Sequence, residues 1–161
     1  MKQELIRTSS TVGEANLHLQ LTPAYRRDIF VREDVKALTI MYAKQKLDEL
    51  GVLILAVDGG PDHMHIFLSN WKKYSVEKLA QGVKGYVSRM MRKHHWDLFR
   101  NKLWGKKFWT EGYFYRTVGQ VTKDATKYYV EKSQQKHWRA LDYGYYKHSK
   151  ERQMGLSQYV N

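Results

Sequence analysis

Along residues 14–21 apolar and polar side chains alternate, with Leu17, Leu19 and Leu21 on one side and His18 and Gln20 on the other. A period of two predicts a half-buried strand, and Pro23 stops it. Residues 1–13 are polar and rich in Ser and Thr, and read as a leader. After a loop carrying Arg26 and Arg27, the spacing becomes helical over residues 32–50. Val35, Leu38, Tyr42 and, less regularly, Leu47 and Leu50 face inward. Glu33 and Asp34 suit the positive end of that helix, and Gly51 is placed to cap its C-terminus. Residues 52–57 are a short apolar run, expected as a buried strand, and Asp58-Gly59-Gly60-Pro61 turns the chain into Asp62-His63-Met64-His65-Ile66-Phe67. On this second strand of a hairpin, Met64, Ile66 and Leu68 point one way while His63 and His65 point the other.

Ser75 is a good N-cap, with Glu77 in the first turn, for a helix expected to run to about His94. Its apolar stripe is Val76, Leu79, Val83, Val87 and Met90. Residues 95–112 read as irregular, 113–118 as a strand, and roughly 123–137 as a last helix carrying Tyr128 and Tyr129. A polar, aromatic tail follows from residue 138. The first six elements spell a split βαβ order. The expected fold is therefore α+β: a ferredoxin-like (RRM-like) antiparallel sheet with helices on one face. In that topology the first and third strands are central neighbours, and His18, Gln20, His63 and His65 share the open face. The last helix is left to lie across that face. Nothing divides the chain, so residues 1–161 read as one domain.

Charge narrows the function. The chain has 28 Lys and Arg against 16 Asp and Glu, a formal charge of +12, spread along its length. Such an excess points to a polyanion partner. Aromatics make up 14% and include 12 Tyr and 5 Trp. Cations interleaved with stacking faces suit a nucleic-acid strand with unpaired bases. The absence of Cys excludes disulfides, thiolate zinc sites and a Cys nucleophile. No stretch approaches the ~20 apolar residues of a membrane span, and the N-terminus lacks a signal peptide's apolar run, so a cytoplasmic location is expected.

Two imidazoles on one strand face are a partial metal site. Two nitrogens do not fill a coordination shell; a carboxylate, amide or hydroxyl must join them. His18 and Gln20 read either as neighbours of that site or as ordinary exposed strand residues, and the second reading is preferred. Trp104, Phe108 and Trp109 can either stack bases or pack under a long loop.

Several blocks beyond the histidines carry a resemblance. Pro61-Asp62-His63-Met64-His65 before an apolar strand resembles the His-hydrophobic-His (HUH) signature of small insertion-sequence transposases. Tyr25-Arg26-Arg27 with Phe30 resembles their basic loop, and Lys84-Gly85 with Ser88-Arg89 their Lys-Gly-x-x-Ser-Arg helix. Trp109-Thr110-Glu111-Gly112-Tyr113-Phe114, then Thr117-Val118-Gly119, is similar to a further block, and Tyr129-Val130-Glu131 to the catalytic helix. Over roughly residues 15–137 the chain thus resembles the single-tyrosine HUH transposases of small bacterial and archaeal insertion sequences.

The resemblance implies a homodimeric transposase that acts on single-stranded DNA with hairpin ends. Tyr129 would be the nucleophile, giving a 5′-phosphotyrosine and a free 3′-OH. His63 and His65 would hold Mg²⁺ or Mn²⁺. The family pattern places a Gln four residues after the tyrosine as third ligand, where this chain has Ser133. Gln134 can substitute if the helix bends or ends early, and Asp58 is a further candidate. Adjacent Tyr128 and Tyr129 lie about 100° apart on a helix, so only one can aim at the metal; the blocks favour Tyr129. Arg26, Arg27, Lys84 and Arg89 are the expected phosphate contacts. Two rival readings stay open. One is a non-catalytic single-stranded nucleic-acid-binding module, the other a metal-dependent phosphodiesterase without a covalent intermediate.

Overall fold

A computed structural model describes residues 6–7, 12–13 and 15–118. The helix expected at 123–137, with Tyr128, Tyr129, Ser133 and Gln134, lies outside the described residues, as does the tail. Within the expected leader, β1 (Ile6–Arg7) pairs antiparallel with β2 (Val12–Gly13). The main unit runs β3 (Asn16–Leu21), α1 (Glu33–Glu49), β4 (Leu53–Gly59), β5 (Met64–Ser69), α2 (Val76–Phe99) and β6 (Phe114–Val118). Its four strands pair antiparallel in the order β4-β5-β3-β6. Placing β3 and β5 side by side at the centre is the split βαβ arrangement that the element order predicts.

Alternation decides which sheet face is the core. Leu17, Leu19 and Leu21 on β3, and Met64, Ile66 and Leu68 on β5, are all 0% exposed. They join Val35, Ala43 and Leu47 of α1 and Leu79, Val83, Val87 and Met91 of α2 in one apolar cluster. Burying a side chain of this size contributes about 1.5–3 kcal/mol, so these positions dominate the fold. The ends of the helices are set locally. Ser75 Oγ accepts from the Lys78 amide at 3.1 Å, and Gly51 adopts φ +69° just past α1, a left-handed conformation that glycine takes without a Cβ clash.

Four expectations are corrected. β4 is apolar but lies at the sheet edge, with Leu53 51% exposed and the rest of the strand mostly half-buried. α2 does not end near His94; it continues to Phe99 through a non-helical residue, His95 (φ −135°, ψ 19°), whose Nε2 lies 2.9 Å from the Tyr42 hydroxyl. Ahead of that kink the buried stripe keeps a spacing of four through Leu79, Val83 and Val87, so Met91 is buried where Met90 is only half-buried. The second sheet face is not open at its centre, because His18, His65 and Phe67 are buried there. Of the three aromatics left with two readings, Phe108 and Trp109 are buried and pack, whereas Trp104 is exposed. Among the described residues no helix is long and apolar enough to cross a membrane.

Candidate functional site

The site is built on the centre of the sheet. His63 closes the β4–β5 turn one residue before β5, and His65 is the second residue of that strand. Their rings lie 4.9 Å apart, nearly perpendicular, and both are buried. The turn is tightly fitted: a Cβ on Gly59 would stand 3.0 Å from the His63 carbonyl oxygen, so a larger residue would have to push the two strands slightly apart.

Each ring has its Nδ1 engaged. His63 Nδ1 lies 2.7 Å from Asp62 Oδ1, and the ionised carboxylate can only accept, so His63 carries its proton on Nδ1. His65 Nδ1 lies 2.8 Å from His18 Nε2. The register explains that contact: Gln20 pairs with His65 and His18 with Phe67, which puts His18 diagonally across from His65 on the same face. His18 is therefore not an ordinary exposed strand residue. It is 2% exposed and stacks on Phe67, with ring centroids 4.7 Å apart and planes 14° apart.

Asp62 has a second partner, Arg26, whose Nε donates to Oδ2 at 2.8 Å. Thus Arg26, expected as a phosphate contact, ties the Tyr25-Arg26-Arg27 loop to the residue that orients His63. Tyr25 and Arg26 hold φ of +56° and +52°, left-handed values unfavourable for residues with a Cβ. Strain of this kind persists where surrounding contacts over-determine it, and it clusters at functional sites. Tyr25 itself is 78% exposed beside the site.

The other expected phosphate contacts also have intramolecular partners. Arg27 sits 5.1 Å over the exposed Trp104 ring, and Arg89 sits 5.6 Å from the Tyr86 ring centre. Lys84 Nζ donates to the carbonyls of Glu111 at 2.7 Å and Gly112 at 3.3 Å, anchoring the chain just ahead of β6. Among the described contacts, Arg26 is the one of the four tied directly into the histidine site, through Asp62.

The hydrogen bond from His63 is the largest cause holding the Asp62 carboxyl below its ordinary 3.8, and Arg26 adds to it against the opposing effect of burial. A lowered value in the folded chain means that the ionised form stabilises the native state. That contribution is present above the ordinary carboxylate range and is lost as pH falls through the lowered value. Asp62→Asn is therefore expected to lower the urea midpoint at pH 7 and to narrow the loss seen below about pH 4. Urea titrations of both proteins at pH 7 and pH 3 check this; equal acid losses in the two would contradict it.

Two buried imidazoles with their Nδ1 atoms engaged would each present Nε2, which is how histidines meet a metal. The donor set fits a divalent ion in part: imidazole suits Mn²⁺ better than Mg²⁺, which prefers oxygen. Asp58 pairs with His65 across the strands, and its Oδ1 accepts from the Gly59 amide. Among the described residues, however, no three His, Asp or Glu side chains form a group that could hold a metal ion, so Asp58 does not complete the pair. Sequence reasoning missed Asp62 and His18 as supporting residues. Asp62 had a signal in its place beside the motif, and His18 in its alternation onto the histidine face; only the register joins them.

The sequence pattern of the IS200-like transposases matches residues 11–133. The ISDra2 transposase TnpA of Deinococcus radiodurans is 26% identical over 125 residues, which cover 78% of this chain and 88% of that protein. A crystal structure from the same organism, described as a candidate transposase, superposes with a TM-score of 0.62 at 21% identity, over 79% of this chain and 96% of that one, and so shares the fold. The matched pattern spans well over half of the chain, and on that basis the protein belongs to the IS200-like transposase family.

Proposed function

We propose that the protein cuts and rejoins single-stranded DNA at insertion-sequence ends, using Tyr129 as the nucleophile. The observation that carries this reading is the buried His63 and His65 pair, each Nδ1 engaged, inside a chain of the IS200-like family. His63 and His65 would hold Mg²⁺ or Mn²⁺, with Gln134 as the third ligand and Ser133 as the alternative. When bound, the ion supplies Lewis-acid polarisation of the scissile phosphate.

The remaining work falls to the chain itself. The Tyr129 hydroxyl oxygen attacks phosphorus and gives up its proton, the bond from phosphorus to the 3′-oxygen breaks, and that oxygen leaves as a 3′-OH. The product is a 5′-phosphotyrosine. Attack by another 3′-OH reverses the step and rejoins strands, so the bond energy is conserved and no nucleotide cofactor is needed. The proposed substrate is single-stranded DNA with hairpin ends, engaged by a homodimer. We assign contacts with the DNA backbone to Arg26, Arg27, Lys84 and Arg89, of which Arg26 adjoins the histidine site through Asp62.

The test is a denaturing gel after incubation with single-stranded hairpin DNA and Mn²⁺. A protein–DNA adduct that Tyr129→Phe abolishes is expected. Cleavage without an adduct would identify a phosphodiesterase, and binding without cleavage a recognition module; either would overturn the proposal.

A further inference from the structure

Two neutral histidines in hydrogen-bond contact can share a proton in two ways. Either His65 donates from Nδ1 and His18 accepts at Nε2, or His18 donates from Nε2 and His65 accepts. The first leaves a lone pair on His65 Nε2. The second places the His65 proton on Nε2, where a metal cannot bind. We propose that His18 is a positioning residue, the acceptor that holds His65 in its Nδ1–H tautomer and aims Nε2 as the ligating nitrogen. The proposal rests on the metal reading given above, and it assigns His18 itself no contact with metal or DNA.

The geometry is specific to this role. The two nitrogens are 2.8 Å apart, with both residues buried, so solvent does not compete for the bond. The His18 ring is held in place by stacking on Phe67 and by the edge contact with Phe114 at 6.1 Å. His63 is served in a parallel way by Asp62 at 2.7 Å. The two metal candidates therefore each have a dedicated Nδ1 partner, a carboxylate for one and an imidazole for the other. The imidazole is the less obvious choice, because unlike a carboxylate it can donate as well as accept. Partners of this kind commonly change metal affinity by about 10- to 100-fold when removed.

Two substitutions separate positioning from packing. His18→Phe keeps an aromatic ring on Phe67 but cannot accept a hydrogen bond. His18→Gln places a carbonyl oxygen near the position of Nε2 and can accept one. The first readout is the tautomer of His65, from long-range ¹H–¹⁵N spectra of the full chain labelled in histidine and free of metal. Wild type and His18→Gln are expected to show His65 protonated on Nδ1, and His18→Phe to lose that preference. The second readout is Mn²⁺ affinity by calorimetry, expected to fall about 10- to 100-fold in His18→Phe and to be largely restored in His18→Gln. His65 protonated on Nε2 in the wild type would overturn the proposal, as would a tautomer or an affinity indifferent to His18→Phe. Mn²⁺ binding that His65→Ala leaves unchanged would instead overturn the metal reading, and the tautomer result would stand apart from it.

Discussion

His65→Ala is expected to lower single-strand cleavage by about 10³-fold while the chain stays folded. His65 is the residue on which the supporting contacts converge: its ring meets His63 at 4.9 Å and its Nδ1 meets His18 at 2.8 Å. Metal polarisation of a phosphoryl oxygen is worth several kcal/mol of transition-state stabilisation. Losing about 4 kcal/mol of it corresponds to roughly three factors of ten in rate. The apolar core on the opposite sheet face is untouched by this change, because successive residues on a strand point to opposite sides. Single-turnover cleavage of labelled hairpin DNA, with near-ultraviolet circular dichroism as the folding control, checks this. Cleavage within about tenfold of wild type would remove His65 from the metal site.

One residue along the same strand, the opposite outcome is expected. Ile66 is 0% exposed and lies in the apolar cluster between the sheet and the two helices. Ile66→Ala removes buried methyl groups and leaves a cavity, at a cost of about 2–5 kcal/mol. A chain of this size loses roughly 2–4 °C of melting temperature per kcal/mol, so a fall of about 5–20 °C is expected. Cleavage per folded molecule, measured well below the transition, should change little. The contrast between residues 65 and 66 tests the assignment of the two sheet faces. A stable Ile66→Ala, or one that cuts poorly while folded, would contradict it.

The fold was legible wherever a period was sustained. Leu17, Leu19 and Leu21 against His18 and Gln20, and Met64, Ile66 and Leu68 against His63 and His65, mark the core face of each strand without any tertiary information. Edge and centre could not be separated in this way. β4 is as apolar as a buried strand, yet among the described residues it pairs with β5 alone, and Leu53 is left at the rim. The length of α2 was hidden because His94-His95-Trp96 breaks the apolar spacing at the kink, while the helix resumes to Phe99.

At the site, the two histidines were visible as a pattern, but their partners were not. That His18 meets His65 depends on how β3 and β5 are registered, and a slip of one residue would send it to the other face. Arg26 and Lys84 were expected from the sequence as phosphate contacts, with no sign of the intramolecular partners they have. Their partners, Asp62 and the carbonyls of Glu111 and Gly112, lie 36, 27 and 28 residues away along the chain. No local rule predicts such contacts.

The central claim is that Tyr129 carries the DNA. The direct measurement is mass spectrometry of the peptide spanning residues 128–131 after reaction with a short hairpin strand and nuclease digestion. A nucleotide joined through its 5′-phosphate to Tyr129 is expected. The same adduct on Tyr128, or a cleaved strand with neither tyrosine modified, would contradict the account.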